Sequence, residues 1–189
     1  MTAEPQISLL LDFLKEIRPL SVCEIGCNWG RELNEIPGVI RYGIDKNRKG
    51  LEKVKGETIC ACAEGIPLKD SFIDVVYSMG CLSHIQNPVD VINEMFRISK
   101  SFVILLEWIG TKTGKDFTNC KQNSWIHDYE RLVALKGEVC FNKKRVFGSD
   151  LFHIVVVRKR REKKIFIENK KEPLFLVKIG KLELKVGSR

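Results

Sequence analysis

The feature that most constrains the fold of this chain is a series of short apolar runs that alternate with segments of helical periodicity. Each run is long enough for a strand, and the last has the apolar character of a strand buried in the middle of a parallel sheet. The five runs lie at residues 21–25, 39–44, 58–63, 73–78 and 102–107.

The segments around these runs predict helices, because apolar residues recur in them at helical spacing. The predicted helices lie at residues 7–17, 31–36, 51–54, 90–99 and 126–135. Strands that alternate with helices favour right-handed crossovers, and so an α/β fold with a Rossmann-like, doubly wound, mostly parallel sheet. Two further strands, near residues 138–147 and 151–157, are predicted to complete the sheet as an antiparallel pair.

The net charge divides the chain into two parts. Residues 158–189 hold 12 Lys and Arg against 4 Asp and Glu, which is the whole formal net charge of +8. Residues 1–157 are balanced, with 20 basic and 20 acidic side chains. We therefore predict one domain at residues 1–157 and a basic, β-rich extension at 158–189, whose short strands form a small β appendage.

The predicted extension has two candidate partners. The basic run at residues 158–164 is suited to the phosphate backbone of a nucleic acid, and the alternative is a solvated strand end that aids solubility. The exposed edge of its strands is suited to pairing with a second copy of the chain, which leaves a homodimer open.

Composition also indicates a compartment. The longest apolar runs fall far short of the roughly 20 residues that a membrane span needs, and no secretory signal is predicted. Seven cysteines at irregular spacing are typical of reduced thiols in a cytoplasmic protein. Cys60 and Cys62 lie in a predicted strand and lack the loop spacing of a zinc site, so no metal is predicted.

A nucleotide-binding turn is predicted directly after the first strand. Gly26 follows the strand and permits a close approach of a ligand to the backbone, and Gly30 opens the next helix. Asn28 stands where many such turns have a second glycine, and Asn is well able to replace Gly at positive φ.

Two carboxylates flank this turn. Asp45 ends the second strand, from where it can accept hydrogen bonds from both hydroxyls of a ribose; the alternative is an ordinary strand-end or helix-capping Asp. Glu24 lies inside the first strand, where a charge is costly unless a cation pairs with it. That cation is either an ammonium group of a bound ligand or a nearby Lys or Arg.

Four motifs now follow one another along the chain. They are VCEIGCNWG at 22–30, YGID at 42–45, AEGIPLKDSFIDVV at 63–76 and SHI at 83–85. In this order they resemble class I S-adenosylmethionine-dependent methyltransferases of the type 11 kind. The first motif, together with ISK at 98–100 and HDYE at 127–130, is also similar to methylases associated with pseudaminic acid biosynthesis. The resemblance covers about residues 7–157.

The resemblance implies that S-adenosylmethionine is the cofactor, with its methionine portion at the turn, its ribose on Asp45, its adenine beside Ala63 and its sulfonium at residues 78–80. Cys62 stands where the family often has an Asp for the adenine amine, so backbone amides or Glu64 would take that contact. The predicted cofactor-binding residues are Glu24, Gly26, Cys27, Asn28, Gly30, Asp45, Cys62, Ala63, Glu64, Ser78, Met79 and Gly80.

Methyl transfer from a sulfonium is an in-line displacement, so positioning supplies much of the catalysis and a general base assists some acceptors. His84, after the fourth strand, and His127, after the fifth, are the candidate bases. The polar segment 110–124 follows the fifth strand, where open α/β sheets bind ligands, and is the candidate substrate gate.

The sequence therefore predicts a methyltransferase with a small-molecule acceptor. The alternatives are an RNA methyltransferase that uses the basic extension and a non-catalytic binding module with the same fold. A nicotinamide oxidoreductase is disfavoured, because the turn lacks the full G-x-G-x-x-G spacing.

Overall fold

A computed structural model describes residues 5–111, 125–160, 165–166, 174–179 and 182–187. The chain divides into two compact units, Met1–Lys159 and Arg160–Arg189. Most of the predicted substrate gate, residues 112–124, lies outside the described residues.

The first unit is built on a seven-stranded sheet whose strands follow the order β3-β2-β1-β4-β5-β7-β6. The first five strands pair in parallel, and β7 pairs antiparallel with both β5 and β6. The predicted fold class, with its final antiparallel pair, is confirmed. The strands are β1 Ser21–Ile25, β2 Ile40–Asp45, β3 Glu57–Cys60, β4 Ile73–Met79, β5 Ser99–Thr111, β6 Gly137–Phe147 and β7 Asp150–Lys159.

Four α-helices and two single 3-10 turns accompany these strands in the described part of the first unit. None of the helices in the described ranges is long and apolar enough to cross a membrane. The helices are α1 Pro5–Ile17, α2 Arg48–Leu51, α3 Val89–Ile98 and α4 Tyr129–Val133, and the 3-10 turns are Leu33–Glu35 and Leu82–His84.

Both faces of the sheet carry a hydrophobic core, as a doubly wound fold requires. On one face α3 and α4 cover the sheet with Val91, Ile92 and Val133, among others. On the other face Leu10 and Leu14 of α1 pack on residues such as Tyr77. Each such fully buried side chain contributes about 1.5–3 kcal/mol, so the two cores hold the strands in a fixed register.

Strand β1 lies between β2 and β4, so the chain leaves the middle of the sheet in opposite directions on its two sides. In open α/β sheets this arrangement produces a crevice beyond the carboxyl ends of the central strands. The loops after β1, β2 and β4 meet at that edge of the first unit.

The C-terminal unit contains a small sheet of three described strands in the order β8-β10-β9. Strand β10 pairs antiparallel with β9 and parallel with β8. The strands are β8 Ile165–Phe166, β9 Leu174–Ile179 and β10 Leu182–Gly187.

Candidate functional site

A cleft of about 730 Å³ opens at the carboxyl ends of β1, β2 and β4. This volume lies within the range of small-molecule sites, which is roughly 300–1,000 Å³. The cleft is lined by Gly26, Cys27, Asn28, Trp29, Arg31, Glu32, Ile44, Asp45, Lys46, Asn47, Ala61, Cys62, Ala63, Glu64, Met79, Gly80, Cys81, His84 and Ile85.

The turn after β1 forms the floor of the cleft. The backbone amides of Gly26 and Cys27 both donate to the carbonyl oxygen of Ile44, at 2.8 and 3.2 Å. Gly26 has φ +74°, and a Cβ there would lie 2.2 Å from the sulfur of Cys81. Asn28 has φ +47°, the positive value that the sequence predicts. The turn therefore needs Gly at position 26 and brings the backbone to the surface of the cleft.

Asp45 stands in the cleft lining with both carboxylate oxygens fixed. Oδ2 accepts a hydrogen bond from the backbone amide of Asn28 at 2.7 Å, and Oδ1 accepts one from the backbone amide of Asn47 at 2.7 Å. The side-chain amide of Asn47 donates in turn to Oδ1 of Asn28 at 2.9 Å. Because a carboxylate can accept about four hydrogen bonds, Asp45 keeps acceptor capacity for a ligand.

The wall opposite the turn is the segment after β3. The backbone amide of Ala61 donates to the carbonyl oxygen of Asp45 at 3.2 Å, which ties this wall to the end of β2. Cys62, Ala63 and Glu64 follow, and all three line the cleft. Their binding of a cofactor stays a prediction.

Arg31 and Glu32 form an ion pair in the lining that the sequence did not single out. Nε and Nη2 of Arg31 lie 2.7 and 2.5 Å from Oε1 of Glu32. The sequence could have identified Arg31 and Glu32 by their position, because they directly follow Gly30, the last glycine of the predicted turn. The pair places both charge signs at one end of the cleft.

Glu24 lies behind the cleft rather than on its surface. The residue is 1% exposed, and Oε2 of its carboxyl accepts a hydrogen bond from the hydroxyl of Tyr77 at 3.0 Å. Burial, reinforced by the nearby charge of Glu32, raises the pKa of Glu24 to about 8. The hydroxyl of Tyr77 and the positive charge of nearby Arg31 both favour the ionised form of Glu24, against the effect of burial.

Gly30 and Ser78 also stand behind the lining. A Cβ on Gly30 would meet Cγ2 of Val54 at 3.0 Å, so this glycine serves the packing of the turn on its neighbours. The hydroxyl of Ser78 is fully buried and donates to Oε1 of Glu107 at 2.6 Å. Met79 and Gly80, the next two residues, do line the cleft.

Comparison with known proteins agrees with this geometry. Residues 23–106 match the family model described as a methyltransferase domain, a stretch that runs from β1 to β5 and contains the whole cleft lining. These residues form a class I methyltransferase domain of the type 11 kind. A search of curated proteins found no match to the chain.

Solved structures with the same fold share little sequence with this methyltransferase domain. Magnesium protoporphyrin IX methyltransferase from Synechocystis PCC 6803, with bound S-adenosylhomocysteine, is 14% identical with a TM-score of 0.66, covering 82% of each chain. A methyltransferase from Methanosarcina mazei is 16% identical with a TM-score of 0.59, covering 74% of this chain and 92% of its own.

The cyclase SpnF has this fold as well, at 14% identity and a TM-score of 0.63, covering 80% of each chain. At these identities the likeness establishes the fold alone, and the cyclase shows that the fold also hosts other chemistry.

The two candidate bases lie on neighbouring segments of the first unit. His84 ends the 3-10 turn after β4, is exposed and lines the cleft. Nε2 of His127 donates to the carbonyl oxygen of Ile85 at 2.8 Å, so His127 contacts a lining residue without lining the cleft itself. The backbone amide of Trp125 donates to the carbonyl oxygen of Ser83 at 2.7 Å, which holds the two segments together.

Two thiols in the cleft lining, those of Cys27 and Cys81, are held in the protonated form. Burial raises the pKa of Cys27 well above its usual range and raises the pKa of Cys81 to about 12. A thiol of this kind is a poor nucleophile at neutral pH. Within the described part of the chain, no group of three or more His, Cys, Asp or Glu residues is arranged to hold a metal ion.

Proposed function

We propose that this chain is an S-adenosylmethionine-dependent methyltransferase that methylates a small-molecule acceptor, with the cofactor bound in the cleft. The observation that carries the proposal is the carboxylate of Asp45, held by two backbone amides in the lining of a glycine-turn cleft. This is the place where α/β folds present an acidic residue to a ribose.

The residues present fit such a cofactor. Gly80 has φ +67°, and a Cβ placed on it meets no atom within 4 Å, so the lining at Gly80 has room for a ligand. We assign the ribose hydroxyls to Asp45 and the adenine to the wall at residues 62–64, where Cys62 departs from the Asp that the family often has.

The amino-acid end is assigned to the turn and the ion pair. The Arg31 guanidinium is suited to the carboxylate of the ligand, and the Glu32 carboxylate is suited to its ammonium. Glu24 supports this end from behind the lining. Ser78 supports Met79 and Gly80, which we assign to the sulfonium.

The bound cofactor supplies an activated methyl group, and the chain supplies orientation and a proton acceptor. Positioning of the acceptor atom supplies much of the barrier reduction in such displacements. His84, exposed in the lining, is placed to take the proton of an acceptor hydroxyl or ammonium. His127 fixes the carbonyl of Ile85 and so orients the same edge of the cleft.

A small-molecule acceptor is favoured by the size of the cleft. Its volume of about 730 Å³ is that of a small-ligand pocket rather than an extended groove. The Synechocystis relative in fold has magnesium protoporphyrin IX in its name, which is also a small molecule.

The test is isothermal titration of the purified chain with S-adenosylmethionine and with S-adenosylhomocysteine. We expect the wild-type protein to bind both in the micromolar range. Asp45→Ala should weaken binding about 10- to 100-fold, because charge-assisted hydrogen bonds to the ligand are lost. Asp90→Ala, which removes an exposed carboxylate from the first turn of α3, is the charge-matched control.

Thermal melts would establish that both variants are folded. If the folded wild-type protein binds neither ligand, the proposed function is wrong. Binding that is equal in the Asp45 and Asp90 variants would remove Asp45 from the site.

RNA methylation is the second candidate, and the charge of the C-terminal segment favours it. Residues 158–189 carry the entire net charge of +8. Binding to RNA through these residues would weaken steeply as salt concentration rises. Filter binding of the full chain to RNA at two salt concentrations separates this candidate from the first.

A further inference from the structure

A carboxyl group with no exposed surface lies directly beneath one wall of the cleft. Glu107 stands in β5 and is 0% exposed. Its Oε1 accepts a hydrogen bond from the hydroxyl of Ser78 at 2.6 Å, and its Oε2 accepts one from the backbone amide of Leu82 at 3.0 Å. A group buried in this way is tolerated only where donors satisfy it, and here the donors come from the end of β4 and from the chain that follows it.

The backbone donors belong to one short segment, residues 80–85, which we name the β4 wall. Besides Leu82, the backbone amides of Cys81 and Ser83 also favour the charged form of the Glu107 carboxyl. The carboxyl therefore caps the 3-10 turn Leu82–His84 from below. Four residues of the β4 wall, Gly80, Cys81, His84 and Ile85, line the cleft.

We infer that Glu107 is a positioning residue for the cleft: its carboxylate gathers the amides of the β4 wall and so holds Gly80, Cys81 and His84 in the binding arrangement. This inference rests on the proposed function, because it concerns the same cofactor site. Glu107 itself does not line the cleft, so it acts through the β4 wall and not by touching the ligand.

The ionised form is the one that can hold the wall. A carboxylate offers only acceptors to the amides, whereas a protonated carboxyl turns one oxygen into a donor that faces another donor. Burial raises the pKa of Glu107 to about 7, against the opposing effect of its hydrogen bonds to Ser78 and the wall amides. The wall should therefore be held firmly above neutral pH and loosened as pH falls below it.

The titratable groups around Glu107 come from three elements. Cys81 lies in the β4 wall, Tyr129 in α4, and His153 opposite Glu107 on β7. Burial raises the pKa of Cys81 and of Tyr129, and it lowers the pKa of His153. Among these neighbours, Glu107 is the group expected to change charge near neutral pH.

The first test needs no cofactor. In an NMR titration of the full chain, the backbone amide of Leu82 should shift with a midpoint near the pKa of Glu107, about 7. Because Glu24 also titrates in this region, the titration is done in a Glu24→Gln background. In Glu24→Gln with Glu107→Gln, the Leu82 shift should vanish. A shift that persists unchanged in the double variant overturns the inference.

The second test measures affinity for S-adenosylhomocysteine at about pH 6 and about pH 8. In the Glu24→Gln background the affinity should rise several-fold from the lower to the higher pH. Addition of Glu107→Gln should give a weaker affinity that does not change with pH.

Tyr129→Phe is the matched control, because the Tyr129 hydroxyl is buried nearby and has no hydrogen-bond partner among the described residues. This control should keep the rise with pH. A rise that is retained without Glu107 contradicts the inference.

Ser78→Ala keeps the inference testable if Glu107→Gln does not fold. Loss of the Ser78 hydroxyl removes one bond that stabilises the charged form, so the Leu82 midpoint should move to higher pH. An unchanged midpoint would count against the role of Glu107. If the wild-type protein binds no S-adenosylhomocysteine at either pH, the proposed function fails, while the Leu82 titration still decides the role of Glu107.

Discussion

At the scale of single residues, two buried carboxyls reach consecutive positions of β4 from opposite faces of the sheet. Glu24 on β1 accepts from the hydroxyl of Tyr77, and Glu107 on β5 accepts from the hydroxyl of Ser78. Successive side chains of a strand point to opposite faces, so the two bonds fix the end of β4 from both sides. The next residues of the chain, Met79 and Gly80, are already in the cleft lining.

The raised pKa of Glu24 leads to a prediction about how the free energy of unfolding depends on pH. Its folded-state value of about 8 lies above the ordinary 4.5, so the stability it contributes is present below pH 4.5 and is lost as pH rises through about 8. Glu24→Gln removes this loss. The free energy of unfolding of the variant, relative to wild type, should therefore increase by a few kcal/mol between about pH 5 and about pH 9, since one pKa unit corresponds to about 1.4 kcal/mol.

Urea unfolding at both pH values measures this difference. Glu52→Gln, at the exposed end of α2, is the control and should follow the wild-type curve. A Glu24 variant whose stability stays parallel to wild type would mean that Glu24 titrates in the folded protein as it does in the unfolded chain.

At this scale the sequence predicted the positive φ of Asn28 and the place of Asp45 at the end of a strand, because both depend on their immediate neighbours. It did not predict the partner of Glu24. That partner, Tyr77, is 53 residues away along the chain and comes close only through the pairing of β1 with β4. The sequence did not identify Glu107 as a site residue for the same reason, because its hydrogen-bond donors are distant along the chain.

At the scale of elements, the apolar runs placed β1 and β4 to within one residue, whereas three helices and two strands differ clearly from the prediction. The helix predicted at 51–54 shares only Leu51 with α2. The helix predicted at 31–36 is a single 3-10 turn, and the one at 126–135 is only α4, which begins where Asp128 accepts a hydrogen bond from the amide of Arg131. Strand β5 is longer than predicted because β7 pairs with it as far as Thr111. Strand β3 ends early, at Cys60, where the chain turns into the cleft wall.

One side chain ties α3 to the loop that follows the cleft wall. The guanidinium of Arg97 donates to the carbonyl oxygens of Leu68 and Ile66, at 2.6 and 2.8 Å, and it pairs with Glu94 and Asp70 at 2.6 and 2.9 Å. A planar fork is needed to serve four acceptors at once, and a lysine ammonium lacks that geometry.

Arg97→Ala should lower the free energy of unfolding by about 1–3 kcal/mol, because partly buried carbonyls lose their donors. Arg97→Lys should recover only part of the loss, since the charge returns without the fork. Urea unfolding of the two variants gives both numbers, with Arg48→Ala, at an exposed position of α2, as the control. Full recovery by lysine would indicate that charge alone holds the loop.

At the scale of the whole molecule, the residues that line the cleft and the residues that carry the net positive charge belong to different parts of the sequence. The described residues that line the cleft all fall between Gly26 and Ile85, in the first unit. The net positive charge lies in residues 158–189. Cofactor binding and any binding of nucleic acid are therefore expected to be separable by shortening the chain.

A chain shortened to residues 1–160 tests this separation. It keeps Lys159, whose ammonium donates to the carbonyl oxygen of Ser99 at 2.8 Å and so belongs to the packing of the first unit. We expect its affinity for S-adenosylhomocysteine to stay within about twofold of the full chain, because the described residues that line the cleft all belong to the first unit. Any salt-dependent binding of RNA should be lost with the basic segment. Isothermal titration and filter binding on the same preparations measure the cofactor affinity and the RNA binding.

If the shortened chain is folded and binds the cofactor but still binds RNA as the full chain does, the nucleic-acid surface lies on the first unit. If it folds and loses the cofactor, residues 161–189 contribute to the cleft, and the assignment of the site to residues 26–85 is incomplete.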